Sequence, residues 1–341
     1  MSPIARLLAK RLGISLIVLF GVSLLIFAIA RIIPGDPARI ALGPNATIEA
    51  VAALREKLHL NDDFLTQYGY FLKELARGNL GISLYTNRPV MQDIAQFLPA
   101  TLELVIIAGV MMVGIALPLG ILSARYRDSW IDHTIRTVTL LGVSAPGFVW
   151  AVALMLVFAY FLPIFPIAGR ISESMSVPAV TGFLLIDTLL AGKMAAFADA
   201  FWHLILPAFA LSLAGIGQAA RLIRSNMVET YKAPYIEMAQ AFGFPGKRIA
   251  NRFAFRPSLI PSLTIIGLDF AAMLGNAFLI ETVYAWPGLS RYGVAVILRK
   301  DLNAIIGTVL VISAMFLIVN LVVDLLVSIV NPRIRLSERS S

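Results

Sequence analysis

The sequence predicts an all-α integral membrane protein with six transmembrane helices, and three observations support this class. First, 59% of the 341 residues are hydrophobic and only 14% are charged, which gives a mean hydropathy of +0.84. Second, the chain contains several long uncharged apolar runs, each near or above the ~20 residues that cross a bilayer as a helix. Third, Lys and Arg are distributed unequally between the connecting loops, as the positive-inside rule describes.

Five of the apolar runs are continuous. They cover residues 12–30, 104–124, 137–169, 204–220 and 302–323. Two shorter runs, 257–268 and 270–280, are separated only by Asp269 and together predict one more span. The first run ends in Ala-Ile-Ala, like a signal-peptidase site, but it is longer than the roughly 7–15 residues of a signal peptide. We therefore expect the first span to remain uncleaved.

The basic residues predict the orientation. Sixteen Lys and Arg residues lie in the N-terminal segment, the second and fourth connectors and the C-terminal tail, against five in the two shorter loops opposite. The richer side is therefore cytoplasmic and holds both termini. The same bias explains the net charge of +8, so we expect no nucleic-acid partner. Residues 174–198 contain Asp187 and Lys193, which are costly in lipid, so we expect an external or re-entrant segment there.

The predicted organisation has four parts. These are an N-terminal span (1–30), an extracytoplasmic subdomain (31–98), a five-span core (99–335) with a cytoplasmic loop (225–257), and a tail (336–341). Within the subdomain, Asn61 is the expected N-cap of a helix that ends at Gly78. One face of this helix holds Phe64, Tyr68, Phe71 and Leu75. A second, shorter helix is expected within 43–58, and the subdomain either packs against the spans or docks an external partner.

Several kinds of chemistry are missing from the sequence. Gly192-Lys193 is followed by Met194, so there is no P-loop for nucleotide phosphates. The three histidines lack metal-ligand spacing, and there is no Gly-x-Ser-x-Gly elbow. Residues 142–146, with sequence GVSAP, instead predict a bend in the third span. These absences disfavour a membrane-embedded enzyme.

Two carboxylates, Asp269 and Asp324, lie deep within predicted spans. Ionisable groups in a membrane segment suggest an ion-coupled secondary transporter. The alternative is structural, namely a hydrogen bond between helices or a contact with an arginine near the membrane surface. The sequence leaves both interpretations open.

The loop 231–256 has the sequence YKAPYIEMAQAFGFPGKRIANRFAFR and predicts a short cytoplasmic helix. Pro234 suits the first helical position and Gly243 suits the residue just past the end. Glu237 lies in the first turn, where the helix dipole favours an anion. One face holds Tyr235, Met238, Ala239 and Phe242. An apolar face in a basic loop predicts contact with lipid or with a groove in another protein.

This loop carries a resemblance to a known family. Glu237-x-Ala239-x-x-x-Gly243, followed by Leu-Ile-Pro at 259–261, resembles the cytoplasmic signature of ATP-binding-cassette importer permeases, in the dipeptide, oligopeptide and nickel branch. Further stretches agree: PGDPA at 34–38, GNLGIS at 78–83, ATLEL at 100–104, ETVYAWPGLSRYG at 281–293 and VNLVVDLLVSIVNPRIR at 319–335. Two residues depart from the pattern, Met238 in place of alanine and Pro257 in a stretch usually free of proline.

The resemblance implies the type I ABC importer permease fold and a non-catalytic subunit in the bacterial inner membrane. It implies that the short helix enters a cleft on a cytoplasmic ATPase, which binds ATP and magnesium, while this chain carries no cofactor or metal. The implied partners are a second permease subunit, two ATPase domains and an extracytoplasmic solute-binding protein. The implied cargo is peptides, with nickel chelates, glutathione and oligosaccharides as alternatives.

The segment after the fifth span predicts an element at the outer mouth. Its residues of interest are Trp286, Pro287, Gly288, Arg291 and Tyr292. The chain must turn at 285–289, and we expect an external helix over 290–300 because its charges prevent it from crossing the bilayer. This helix is either a gate that touches the binding protein or an interfacial helix anchored by Trp286.

Overall fold

The computed structural model describes residues 3–32, 37–43, 45–57 and 59–330. Fourteen α-helices form within these residues, and no β-strand does, which confirms the predicted all-α class. They are α1 (Pro3–Ile32), α2 (Pro37–Leu42), α3 (Ile48–Lys57), α4 (Phe64–Ala76), α5 (Val90–Arg125), α6 (Trp130–Ser144), α7 (Gly147–Met155), α8 (Leu184–Leu190), α9 (Met194–Thr230), α10 (Pro234–Ala241), α11 (Gly246–Arg248), α12 (Phe255–Val283), α13 (Leu289–Leu298) and α14 (Leu302–Val330). Two π-helical turns, Leu156–Phe161 and Ile249–Ala254, follow α7 and precede α12.

Five segments of the described chain are long and apolar enough to cross a bilayer, and a bent pair of helices provides a sixth if it is counted as one span. The five are Leu8–Ile29, Val90–Arg125, Met194–Thr230, Gly246–Val283 and Leu302–Ser328. Each overlaps a predicted span, and α12 continues through Asp269 without a break. The cytoplasmic location of the termini stays a prediction, and the tail 336–341 lies outside the described residues.

The bent pair corresponds to the predicted third span. α6 and the segment Gly147–Phe161 meet at an angle of 102°. Ala145 has an extended backbone, with φ −123° and ψ 150°. Proline at the next position disfavours the helical conformation there, so α6 ends before Pro146 and α7 begins after it. The bend expected in residues 142–146 is therefore confirmed.

The centre of the protein is formed by α5, α9 and α12, and small residues allow these helices to approach closely. A Cβ on Gly217 of α9 would meet the backbone oxygen of Thr139 in α6, and one on Gly215 would meet the sulfur of Met112 in α5. Helices in membranes associate through such close packing, because lipid tails provide no hydrophobic drive. α9 has 37 residues and is about 55 Å long, so it extends beyond a ~30 Å bilayer core.

The N-terminal span lies at the edge of this bundle and packs along α14. Its outer face exposes large apolar side chains, with Leu16 66%, Ile17 72% and Leu25 60% exposed. Such a face suits contact with lipid tails. Near one end, the Arg11 guanidinium pairs with Asp324 of α14 at 3.1 Å. The predicted contact between Asp324 and an arginine therefore forms.

The predicted helix in the 31–98 subdomain forms as α4 and packs on α1. The Phe27 ring contacts Tyr68 and Phe71 at centroid distances of 5.4 and 5.3 Å. The prediction that Asn61 is the N-cap is wrong. Asp63 is the cap, because its carboxylate lies next to the first turn and accepts the backbone N–H groups of Leu65 and Thr66. These interactions, led by the Thr66 hydroxyl, lower the pKa of Asp63.

The second, shorter helix of the subdomain forms as α3. Residues 174–198 do not form a span in the described chain; they contain α8 and the first turn of α9. The buried Asp187 carboxylate orders this segment by accepting the backbone N–H groups of Val180, Thr181 and Gly182. Burial alone would raise the pKa of Asp187, but these bonds and the Thr181 hydroxyl outweigh it and lower the pKa.

Candidate coupling helix and outer-mouth segment

The short cytoplasmic helix predicted from the loop 231–256 forms as α10, with Pro234 at its first position. It ends in a Schellman motif. The Gly243 N–H donates to the Gln240 oxygen at 2.9 Å, and the Phe244 N–H donates to the Ala239 oxygen at 3.2 Å. Gly243 has φ +75°, the left-handed conformation that this motif requires and that glycine adopts at little cost.

The two faces of α10 differ sharply in exposure. Ile236 and Ala239 are buried against the rest of the chain. Tyr235, Met238 and Phe242 are 41%, 58% and 74% exposed. Ala239 was predicted to share the outward apolar face, and that prediction is wrong, because Ala239 lies at the edge where the helix meets the protein. The remaining three side chains form an outward apolar surface, which we call the α10 patch.

The inner face of α10 connects it firmly to the spans. Ile236 belongs to the same buried cluster as Ile223 and Met227 of α9 and Ile249 of the π-helical turn before α12. The Phe244 and Phe253 rings lie 5.4 Å apart. This packing connects α10 to the adjacent ends of α9 and α12.

A buried ion pair fixes the end of the bundle that lies next to α10. Asp132, fully buried at the start of α6, accepts two bonds from the Arg224 guanidinium of α9, at 2.7 and 2.6 Å. Its carboxylate also accepts the Ser123 hydroxyl of α5 and the Asp128 N–H. This contact joins three helices. Sequence reasoning missed it because positions 132 and 224 are far apart in the chain.

A cavity of 310 Å³ lies between this end of the bundle and α10. Its lining includes Arg125 and Arg127 after α5, Tyr231 after α9, and Gln240 of α10. Burial raises the pKa of the Tyr231 hydroxyl, so it stays neutral. The cavity therefore lies between Gln240 of α10 and the loop that follows α5.

At the outer mouth, the expected external helix forms as α13. Trp286 is 1% exposed, its indole N–H donates to the Ala100 oxygen at 2.9 Å, and the Arg170 guanidinium lies 5.5 Å from its ring. A side chain enclosed in this way does not reach a lipid interface. The interpretation of Trp286 as an interfacial anchor is therefore wrong, and its role is to hold the turn against α5.

A buried glutamate organises the same turn. Glu281 accepts the Thr101 hydroxyl at 2.5 Å and the Arg291 N–H at 2.7 Å. A Cβ on Gly288 would overlap both carboxylate oxygens of Glu281, so this position requires glycine. Thr101 also accepts the Leu289 N–H at 2.8 Å. The turn is thus tied to α5 and α12 at the point where the fifth span ends.

The five outer-mouth residues differ in their exposure to solvent. Pro287 and Arg291 are exposed, whereas Trp286, Gly288 and Tyr292 are buried. The buried Tyr292 hydroxyl donates to Asp93 at 2.9 Å, and burial raises its pKa. In this conformation, only the two exposed residues of the five are able to contact another protein directly. The other three position the segment.

The two deep carboxylates do not come together. Asp324 is paired with Arg11, as described above, and Asp269 of α12 accepts the Gln218 side-chain N–H of α9 at 3.0 Å. Both structural contacts that the sequence suggested, an interhelical hydrogen bond and an arginine pair, are present. No group of three or more metal-ligating side chains occurs among the described residues.

Comparisons with known proteins agree with this architecture. Residues 116–336 match the family described as the inner membrane component of binding-protein-dependent transport systems, and residues 4–105 match its N-terminal family. The chain belongs to this family. The predicted resemblance is thereby confirmed, and the chain is a multi-pass membrane subunit of a transport system in the bacterial inner membrane.

Several curated relatives match over nearly their whole length. A probable D,D-dipeptide transport system permease protein of Escherichia coli (strain K12) is 41% identical over 93% of this chain and 94% of the relative. A dipeptide transport system permease protein of Alkalihalophilus pseudofirmus is 38% identical over 96% and 98%. A di/tripeptide transport system permease protein of Pseudomonas aeruginosa is also 38% identical, over 96% and 98%.

Proposed function

We propose that this chain is one of two transmembrane permease subunits of an ATP-driven importer that receives di- or oligopeptides from an external binding protein. Membership of the binding-protein-dependent transport family supports the general mechanism. The names of the relatives, which cite dipeptides, D,D-dipeptides and di/tripeptides, support peptides as cargo. Nickel chelates, glutathione and oligosaccharides are not favoured, because the relatives described above are named for peptide transport.

The α10 patch is the observation that supports ATP coupling most directly. Tyr235, Met238 and Phe242 present apolar surface on a helix whose opposite face is buried in the permease. We assign the patch to a cleft on a cytoplasmic ATPase, together with the exposed Glu237 in the first turn. ATP and magnesium bind to that partner and not to this chain. Closure of two ATPase domains would move two such helices together, and the rigid inner face would carry the motion to the spans.

The outer-mouth segment receives the second partner in this proposal. Pro287 and Arg291 are the exposed members of the segment and contact the solute-binding protein. Trp286, Gly288 and Tyr292 keep α13 in place above the bundle. The segment then acts as a gate that changes position with the nucleotide state of the ATPases.

A cross-linking experiment tests the coupling assignment. Phe242→Cys is placed in the full complex together with one cysteine in the ATPase cleft, since this chain has no native cysteine. Leu298→Cys is the control, because it is 79% exposed, against 74% for Phe242, but lies at the outer mouth. We expect cross-links to the ATPase from position 242 and none from 298. A complex that hydrolyses ATP but gives no cross-link from 242 would remove the assignment.

A further inference from the structure

Within the described chain, every carboxylate that is wholly or partly shielded from solvent, with one exception, forms an ion pair with an arginine or accepts at least two hydrogen bonds. Five form ion pairs with arginine: Glu74 with Arg77, Asp93 with Arg88, Glu103 with Arg170, Asp132 with Arg224 and Asp324 with Arg11. Four others accept at least two hydrogen bonds each: Asp187, Asp199, Glu281 and Asp301. This pattern is expected, because an uncompensated charge away from water is costly.

Asp269 is the exception. Its Oδ1 accepts one hydrogen bond, from the neutral Gln218 amide at 3.0 Å. Its Oδ2 is shielded from solvent and accepts no hydrogen bond from any residue that the structure describes. The carboxylate lies in the middle of α12, within a membrane-spanning segment. An ionised group in that position is costly unless a cation lies nearby, and ionisable groups within spans mark substrate or ion paths for that reason.

The surface around Asp269 is unlike the surface that faces lipid. The exposed positions of α9 near it hold small or polar side chains, namely Ala214, Gln218, Arg221 and Ser225. The exposed positions of α12 within about two turns of Asp269 hold Thr264, Ala272, Gly275 and Asn276, with Leu268 as a large apolar neighbour, whereas Phe278 and Leu279 are exposed further along the helix. By contrast, α1 exposes Leu16 and Ile17. Polar groups are expensive in hydrocarbon, so this face of α9 and α12 is unsuited to contact with lipid and suits the lining of a hydrated conduit between two permease subunits.

We propose that the Asp269 carboxylate, oriented by Gln218, binds the α-ammonium group of a peptide as it passes through the conduit. This inference rests on the proposed function, because it assumes peptide cargo. The chemistry fits, since a peptide carries an ammonium group at one end, whatever its side chains are. Inside a membrane the effective dielectric constant is lower than in bulk water, so one carboxylate lowers the barrier for that charge. A single charge-assisted contact is weak enough to release the cargo again.

The test uses the sign of the charge at position 269. The permease pair, ATPases and binding protein are reconstituted in proteoliposomes, and ATP-driven uptake of L-alanyl-L-alanine is measured. Asp269→Asn should reduce the maximal rate about tenfold, the size of one charge-assisted hydrogen bond. Asp269→Glu should keep most of the rate. Asp269→Cys should regain uptake when modified with a sulfonate-bearing thiosulfonate reagent and stay inactive with a trimethylammonium-bearing one.

Two controls separate this role from a structural one. Asp324→Asn removes a carboxylate from another span, where it is paired with Arg11, and should leave the rate within about twofold because a partly exposed ion pair contributes little. The unsubstituted complex, treated with both reagents, corrects for reaction with cysteines of the partner chains. Copurification of the second permease with Asp269→Asn shows whether assembly is intact.

Failure of the role assigned to Asp269 is distinguishable from failure of the proposed function. Equal uptake after both modifications would overturn the inference, because a steric or packing role does not depend on the sign of the charge. Loss of the second permease from the Asp269→Asn complex would assign the carboxylate to a subunit interface and would also overturn it. In both cases the unsubstituted complex would still import the peptide. If that complex imports no peptide at all, the proposed function itself fails.

Discussion

Gly243 is the position where a small change should separate ATP hydrolysis from transport. Its φ of +75° lies in the left-handed region, and a Cβ built there meets no atom within 4 Å. Gly243→Ala therefore introduces no clash, and its cost is the backbone strain of a left-handed non-glycine residue, about 1–2 kcal/mol. A cost of this size shifts the equilibrium of the α10 cap by a factor of roughly 5–30, but leaves a typical fold stable.

The assay measures peptide uptake and ATP hydrolysis in the same proteoliposomes and reports their ratio. Gly246→Ala is the matched control, because Gly246 lies in the same loop, has no positive φ and also has open space at its Cβ. We expect Gly243→Ala to lower the ratio severalfold and Gly246→Ala to leave it unchanged. Gly243→Asn should fall between them, since asparagine tolerates the left-handed region. Equal ratios for the two alanine variants would refute the role of the α10 cap in coupling.

Three further predictions follow from named contacts. Gly246 and Glu173 should lie on opposite sides of the membrane. In cells with a permeabilised outer membrane, an impermeant maleimide should therefore label a single cysteine at position 173 but not one at position 246. Gly288→Ala should lower the thermal unfolding midpoint, because its Cβ overlaps the buried Glu281 carboxylate and overpacking costs about 1–3 kcal/mol. Arg224→Met should lower the midpoint further, since breaking a buried pair costs about 3–5 kcal/mol.

Both stability predictions have a matched control variant. Labelling of position 246 but not 173 would reverse the topology. Gly275→Ala should leave the midpoint unchanged, because no atom lies within 4 Å of the added Cβ. Arg221→Met removes an exposed arginine three residues before Arg224 and should have little effect. Midpoints of the Gly288 and Arg224 variants equal to those of their controls would contradict the packing described for both sites.

Local features were predicted well from the sequence because their causes are local. The bend before Pro146 follows from the restriction that proline places on its predecessor. The end of α10 follows from glycine at the left-handed position, Gly243. The packed face of α4 follows from the spacing of Phe64, Tyr68 and Phe71 on one side of a helix. In each case the evidence lies within a few residues of the feature.

The incorrect predictions concern side chains whose burial depends on contacts with distant parts of the chain. Helical spacing placed Ala239 with the outward face of α10, but which edge of that face is buried depends on Ile249 beyond the loop. Trp286 was a candidate interfacial anchor, but its hydrogen bond to Ala100 crosses 186 positions of sequence. The contact of Glu281 with Thr101 crosses 180 positions and gave no signal in the sequence.

The central claim is that this chain forms half of an ATP-driven peptide conduit. The most direct measurement is uptake of a radiolabelled dipeptide into proteoliposomes that contain this chain, its second permease and both ATPase domains, with the binding protein outside and ATP inside. The account predicts accumulation above the external concentration that requires both ATP and the binding protein. Accumulation that persists without ATP and collapses when the proton gradient is removed would contradict it.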